Sequence, residues 1–270
     1  MAGADVVVHL AFLIFGSRDE TREINLRGSR NVFEAAVDAG VKRLVYTSSV
    51  AAYGFRPENP DVLTEEVPTL GTPDFYYSAQ KAELERLLEE VTAGHQTDVY
   101  VFRPCIVAGR DAPTLIEGFT GQKILGSRVR LLWRALDALP LVGPVLPDSG
   151  VPFQLVHHDD VANAVRAAVL GRGKPGTYNL ASDDAITVSD IARALGWHAV
   201  PLPLAAVGVL GEMAARAPFM PAELGWLDAL RKPVLMDTAK ARKQLRWRAR
   251  HDAKETLDET VVAAQVAGIV

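Results

Sequence analysis

Cysteine is almost missing from this sequence: Cys105 is the single one in 270 residues. One thiol cannot close an internal disulfide, so the fold must rest on its apolar core, and a reducing cytoplasm suits it. Long apolar runs are missing as well. Leu131–Pro147 and Ala199–Pro221 are apolar but broken by prolines or charges, short of the ~20 uninterrupted residues a membrane helix needs. No basic segment followed by a small-residue cleavage site opens the chain, so no secretory leader is expected. Charge of one sign is not in excess either. The net charge is −4, and the densest basic stretch, Lys240–Arg250, is interrupted by Leu245 and Trp247. Neither nucleic acid nor a membrane is therefore an expected partner. A G-x-S-x-G elbow is absent, which removes the commonest serine-hydrolase reading.

What is present is ordinary for a soluble enzyme: 49% apolar and 23% charged residues, enough for one large domain or a domain with a smaller lobe. Asp5–Ala11 is a continuous β-branched run, as in a strand buried on both faces of a parallel sheet. Arg22–Ala39 carries a helical apolar stripe that Gly40 ends. Lys42–Thr47 and Asp98–Arg103 read as further strands, and Tyr76–Thr92 as a strong helix. Asp159–Leu170 is a helix with an acidic first turn, Gly176–Leu180 a strand, and Thr187–Leu195 a helix capped by Thr187 with Asp190 three residues on. This alternation at βαβ spacing predicts an α/β fold with a doubly wound parallel sheet. Residues 1–110 and about 154–182 are expected to form the nucleotide-binding domain. Residues 111–153 and 183–270, richer in glycine, proline and tryptophan, are expected to form a mainly helical substrate lobe.

Tyr77 and Lys81 stand four residues apart at the start of a helix, hence on one face. A free tyrosine, with a pKa of about 10, accepts protons poorly near pH 7, and a neighbouring ammonium favours its phenolate. Tyr76 is the rival, but four residues beyond it lies the uncharged Gln80. Thr47-Ser48-Ser49 closes a strand, and hydroxyls at the carboxyl end of a parallel strand lie where such sheets bind ligands. His157 and His158 beside Asp159 and Asp160 raise the question of a metal. Neighbouring residues point apart and no third ligand follows in sequence, so the expectation is no metal, with Asp159 or Asp160 capping the next helix.

With these pieces in order, the chain resembles the extended short-chain dehydrogenase/reductase family, in its NAD-dependent epimerase/dehydratase branch. The matches are VVHLA, Asn25-Leu26-Arg27-Gly28-Ser29, TSSVAAYG, YSAQK, RPCIVAG, LVHHDDVA and YNLA. The resemblance implies NAD or NADP as cofactor, with NAD favoured. It makes Tyr77 the acid/base, has Lys81 lower its pKa and bond the nicotinamide ribose, and has Ser49 bond the substrate oxygen. It implies cofactor contacts at Leu10, Ala11, Phe12, Asn25, Thr47, Ser48, Pro104 and Cys105. A small-molecule substrate is implied, and a homodimer through the Tyr-Lys helix, although core packing would explain the leucines of LERLLEEV equally.

Three departures bear on function. The glycine-rich G-x-x-G-x-x-G turn that opens the family's first βα unit is not in this sequence, and neither is the residue that separates NAD from NADP. The expectation is that the first three strands are missing and that Met1 is an internal start; the rival is a short protein completed by a partner. Val50 and Ala51 stand where family dehydratases carry an acidic pair, so dehydration is not expected. Hydride transfer at a secondary alcohol or ketone remains, with a sugar-nucleotide epimerase as one alternative and a catalytically silent binding module as the other. Pro152-Phe153-Gln154-Leu155 lacks the arginine that holds a diphosphate, which favours a less polar substrate; Arg128, Arg130 and Arg134 keep the sugar nucleotide open.

Overall fold

The computed structural model describes residues 1, 3–14, 16–113, 115–116, 144–203 and 232–270. Chain contacts divide it into two compact units. The first comprises Met1–Cys105, Val161–Leu180 and Met236–Arg248; the second comprises Ile106–Asp160, Ala181–Leu235 and Ala249–Val270.

The first unit is built on four strands whose β-branched and aromatic residues fit a sheet covered on both faces. These are β1 Val6–His9, β2 Arg43–Thr47, β4 Asp98–Pro104 and β8 Gly176–Leu180, in the order β1-β2-β4-β8. Every pairing is parallel, so the carboxyl ends of all four strands lie along one edge. Among the described residues β1 pairs only with β2, leaving its other side open and Val8 exposed. Arg18–Arg22 (α1), a π-helical turn at Glu23–Arg27 and Gly28–Asp38 (α2) follow β1 as successive helical segments.

The long helix α3, Tyr76–Thr92, has the bounds its periodicity predicts. Its Leu84, Leu87 and Leu88 are buried in a core with Phe33, Ala36, Leu44 and Tyr46, where full burial of one such leucine contributes roughly 1.5–3 kcal/mol. The leucines of LERLLEEV are thus core residues. The outer face of α3 is charged: Arg22 donates to both carboxylate oxygens of Glu83 at 2.8 and 2.7 Å. A two-residue strand β3, Val62–Leu63, pairs with β10, Leu235–Met236.

In the second unit β5, Ile106–Ala108, pairs in parallel with β7, Leu155–His157, and β6, Val145–Asp148, with β9, His198–Pro201. Leu155, Ile186, Val188, Ile191, Leu257 and Val261 form its core. Helix α5, Val188–Leu195, starts as expected, with the Asp190 carboxylate accepting the Thr187 N–H at 2.8 Å, and ends at Gly196 in the left-handed conformation (φ 72°). The terminal helix α6 is Ala253–Val266. Helix α4, His158–Val169, carries the division between the units.

The division differs from the expected one in three places, the first being that residues 106–110, with β5, belong to the second unit. Residues 154–160 belong to the second unit because β7 pairs with β5, not with the four-stranded sheet. Met236–Arg248 returns to the first unit, where the Asp237 carbonyl accepts from Asn179 and the Asp237 N–H donates to Leu63. Part of the expected substrate lobe, residues 114, 117–143 and 204–231, which include Arg128, Arg130, Arg134 and Leu131–Pro140, lies outside the described residues. No helix among the described residues is long and apolar enough to cross a membrane.

Candidate active site

Three consecutive residues at the end of β2 hold three successive turns of α3. The Ser49 hydroxyl is hydrogen-bonded to the Tyr77 phenol. The Thr47 carbonyl accepts from Lys81 Nζ at 3.0 Å. The Ser48 hydroxyl donates to Glu85 Oε1 at 2.5 Å. Tyr77, Lys81 and Glu85 are spaced i, i+4, i+8 and so form one stripe along the helix. Ser49 is in extended conformation and its oxygen also accepts the Ala51 N–H at 3.2 Å, starting the short 3₁₀ turn Val50–Tyr53. The rival Tyr76 is buried elsewhere, its hydroxyl donating to the Ile14 carbonyl.

Burial dominates the electrostatics. It pushes Lys81 down from 10.5 to about 7, against the pull of the Glu85 carboxylate. It also pushes the Tyr77 phenol up, and the Ser49 hydrogen bond only partly offsets this. The expected lowering of Tyr77 by Lys81 is thus not what these residues alone produce. Lys81 Nζ lies 5.9 Å from the Tyr77 ring centroid and closer, 4.2 Å, to the ring of Phe12. A lysine 4% exposed pays the desolvation cost of its charge and loses much of its leverage over a neighbour.

The cofactor-side residues separate into groups. Phe12 closes on the site: its ring meets Tyr77 edge-on at 5.3 Å besides capping Lys81. Leu10 is exposed beyond the end of β1. Leu10, Ala11 and Phe12 form no strand and follow directly on the carboxyl end of β1. Asn25 works through its neighbours: Oδ1 accepts the Leu13 N–H at 2.7 Å, and Nδ2 donates to the Leu13 carbonyl at 2.9 Å and to Gln80 Oε1 at 2.8 Å. It fastens the segment after β1 to α3. Pro104 ends β4, and Cys105 is a buried thiol whose N–H donates to the Leu180 carbonyl at 3.0 Å.

These residues fit the sugar and ring end of a dinucleotide. Thr47 Oγ1 is buried without a hydrogen-bond partner. Among the described residues Lys81 donates one hydrogen bond, leaving two N–H donors for a ligand hydroxyl. Nothing comparable answers the pyrophosphate, since the sequence has no glycine-rich turn between a strand and a helix.

Two clusters escaped the sequence. Arg103, at the end of β4, grips Glu85 through Nε (3.0 and 3.2 Å) and Nη2 (2.6 Å). Its Nη1 donates to the Tyr53 hydroxyl at 2.8 Å, which donates to Asn179 Oδ1 at 2.7 Å. Burial drives Tyr53 up to about 12 against the pull of Arg103. The arginine of RPCIVAG and the asparagine of YNLA were visible as motifs, but only the parallel sheet lines up their strand ends.

The second cluster lies in the other unit. His251 joins His157 and Asp159, ligand atoms within 4.8 Å, supplying in space the third group that the sequence lacks nearby. The His157 and His251 rings stack at 3.9 Å with 25° between planes, so their in-plane lone pairs run side by side instead of converging. One nitrogen of each ring already meets a carboxylate, Glu259 at 3.1 Å and Asp160 at 3.0 Å. Nor does Asp160 cap α4: its Oδ2 accepts the Arg250 and His251 N–H groups at 3.0 and 3.2 Å. The N–H of Asp159 donates to His157 Nδ1 at 3.2 Å.

The chain is similar to known proteins in sequence and in fold. The chain is 27% identical to protein y4nG of Sinorhizobium fredii over 270 residues, covering 96% of this chain and 63% of that one. It is 29% identical to the UDP-glucose 4-epimerase of Yersinia pestis over 249 residues, 87% of this chain and 67% of the relative. The fold matches a short-chain dehydrogenase/reductase superfamily protein from Agrobacterium tumefaciens, crystallised with bound NAD, at a TM-score of 0.68 and 19% identity, over 98% of this chain and 80% of that one. The chain thus spans less than two thirds of the length of y4nG. The sequence profile of the NAD dependent epimerase/dehydratase family matches residues 1–181, taking in β1, the hydroxyl strand end, the Tyr77–Lys81 helix and β8; the chain belongs to that family.

Proposed function

We propose that the chain carries the catalytic half of an NAD(P)-dependent oxidoreductase or epimerase that transfers hydride at a secondary alcohol or ketone. The observation that carries this reading is the stripe on which Ser49 bonds Tyr77 and Lys81 lies one turn on. A bound nicotinamide supplies or accepts the hydride. Tyr77 gives a proton to the carbonyl oxygen in reduction, or takes it from the alcohol in oxidation. Ser49, already bonded to the phenol, orients the same oxygen. Lys81 offers its two remaining N–H donors to the ribose, and binding there adds the partners that favour its ammonium, which in turn draws Tyr77 down. Leu10–Phe12 pass beside the dinucleotide while Thr47, Ser48, Pro104 and Cys105 border it, with Asn25 holding the Leu13 backbone.

Val50 and Ala51 are buried and apolar, so neither position offers an acid to expel a hydroxide, which supports hydride transfer without dehydration. Gln154 is buried and donates to the Ser182 carbonyl at 2.9 Å, so it offers no cation to a diphosphate; this supports a less polar substrate. The sugar-nucleotide reading has its own support in the Yersinia relative. The pyrophosphate cradle is proposed to come from chain preceding these residues or from a partner, at the open side of β1.

Calorimetric titration with NAD(H) and NADP(H), on this chain and on an N-terminally extended protein, tests the reading. Binding by the extended form is expected, and binding by neither favours a silent module. UDP-sugars and apolar ketones assayed side by side on the extended protein separate the two substrate classes. Tyr77→Phe should abolish turnover, by at least ~100-fold for loss of the acid/base, while cofactor binding survives. Persisting turnover would remove Tyr77 from its role.

A further inference from the structure

Glu85 is the third member of the Tyr77–Lys81 stripe, and no role in the reaction has been assigned to it above. Its side chain is 9% exposed, and its partner Arg103 is 7% exposed. It is held from two sides: by Ser48 from β2, and by the Nε and Nη2 edge of the Arg103 guanidinium from β4. A carboxylate so clamped cannot swing toward solvent. We propose that Glu85 is a positioning residue of the catalytic set: its negative charge, one helical turn beyond Lys81, favours the ammonium form of that lysine inside an otherwise apolar pocket.

The surroundings of Lys81 leave little else to do this. From β2 it meets the Thr47 carbonyl and the Tyr46 ring, from the segment after β1 the Phe12 ring, and from its own helix Tyr77 and Glu85. His9 on β1 is close enough to feel its charge and is itself held low by burial and by Lys81. Of these groups only Glu85, paired with Arg103, is a carboxylate. Burial drives Lys81 toward the neutral amine, which could not draw a proton off Tyr77, and Glu85 is the opposing influence. Arg103 has two effects: it fixes Glu85 in place, and its own cation weakens the field that Glu85 exerts on Lys81. Ser48 completes the set, so that Thr47, Ser48 and Ser49 each hold one member of the stripe.

The catalytic meaning of this arrangement rests on the function proposed above, but its electrostatics can be measured without substrate or cofactor. The chain is labelled with ¹⁵Nζ-lysine, and the Lys81 resonance, assigned by its loss in Lys81→Met, is followed against pH. Glu85→Gln should lower the midpoint by about one pH unit, a tenfold shift toward the amine. Arg103→Gln, which removes the competing cation, should raise it. A merely structural role predicts another pattern, because loosened packing rehydrates the lysine and raises the midpoint in both variants. An unchanged or raised midpoint in Glu85→Gln overturns the proposal. Should that variant fail to fold with Arg103 left unpaired, Glu85→Gln/Arg103→Gln carries no stranded charge and replaces it. The double variant must titrate below Arg103→Gln, or the proposal fails.

Discussion

Asn25→Ala probes how the segment before α1 is held against α3. Asn25 is 2% exposed, and its amide makes three hydrogen bonds, two to Leu13 and one to Gln80. Truncation removes all three, but the partners left behind fare differently. Leu13 is half-exposed, so its N–H and C=O recover water, and each bond costs about 1 kcal/mol. Gln80 is 3% exposed; its Oε1 is stranded without solvent, at about 1–3 kcal/mol. The sum, about 3–5 kcal/mol on those magnitudes, is a large part of the stability of an ordinary domain. Urea unfolding followed by circular dichroism reads the loss as a lower midpoint at unchanged slope. Amide hydrogen exchange at Leu13 reads it locally, because the N–H that Asn25 accepts becomes free. A loss below about 1 kcal/mol, or unchanged protection at Leu13, would refute the view that Asn25 acts as a clamp. Since Phe12 covers Lys81 at 4.2 Å, the loosened segment should also raise the Lys81 titration midpoint.

Lys81 predicts a pH dependence of stability. Its pKa falls from 10.5 to about 7 on folding, so between those values the unfolded chain binds more protons than the folded one, and stability rises with pH by at most about 1.4 kcal/mol per unit. Denaturant midpoints measured from pH 7 to 10.5 should show that rise, and Lys81→Met should flatten it; an equally steep profile in the variant would contradict the assignment. Asp160→Ala should cost about 3 kcal/mol, because the 0% exposed carboxylate accepts from two backbone N–H groups and His251, and each such part-buried bond is worth about 1 kcal/mol. Thermal unfolding checks it, and a change within about 0.5 kcal/mol would place the staple among ordinary surface contacts.

Local chemistry made part of this protein legible without coordinates. The bounds of α3 follow from its apolar period and the glycine beyond it, and Tyr77 with Lys81 share a face because four residues make about one helical turn. The capped start at Thr187 and the strand Gly176–Leu180 are equally local. What stayed illegible depends on residues far apart in sequence. Tyr76 and Tyr77 are neighbours; packing gives one hydroxyl to Ile14 and the other to Ser49. Glu85 reads as one more charge on a solvated helix until Arg103 closes on it across 18 positions, and His251 reaches Asp160 across 91. Strand β7 looks like any other short apolar strand, and its pairing with β5, which moves it to the second unit, is a property of the sheet. Short-range periodicity determined the elements and the spacing of the stripe. The charge state of that stripe was decided by tertiary burial, because desolvation and opposed charges act through space and not along the chain.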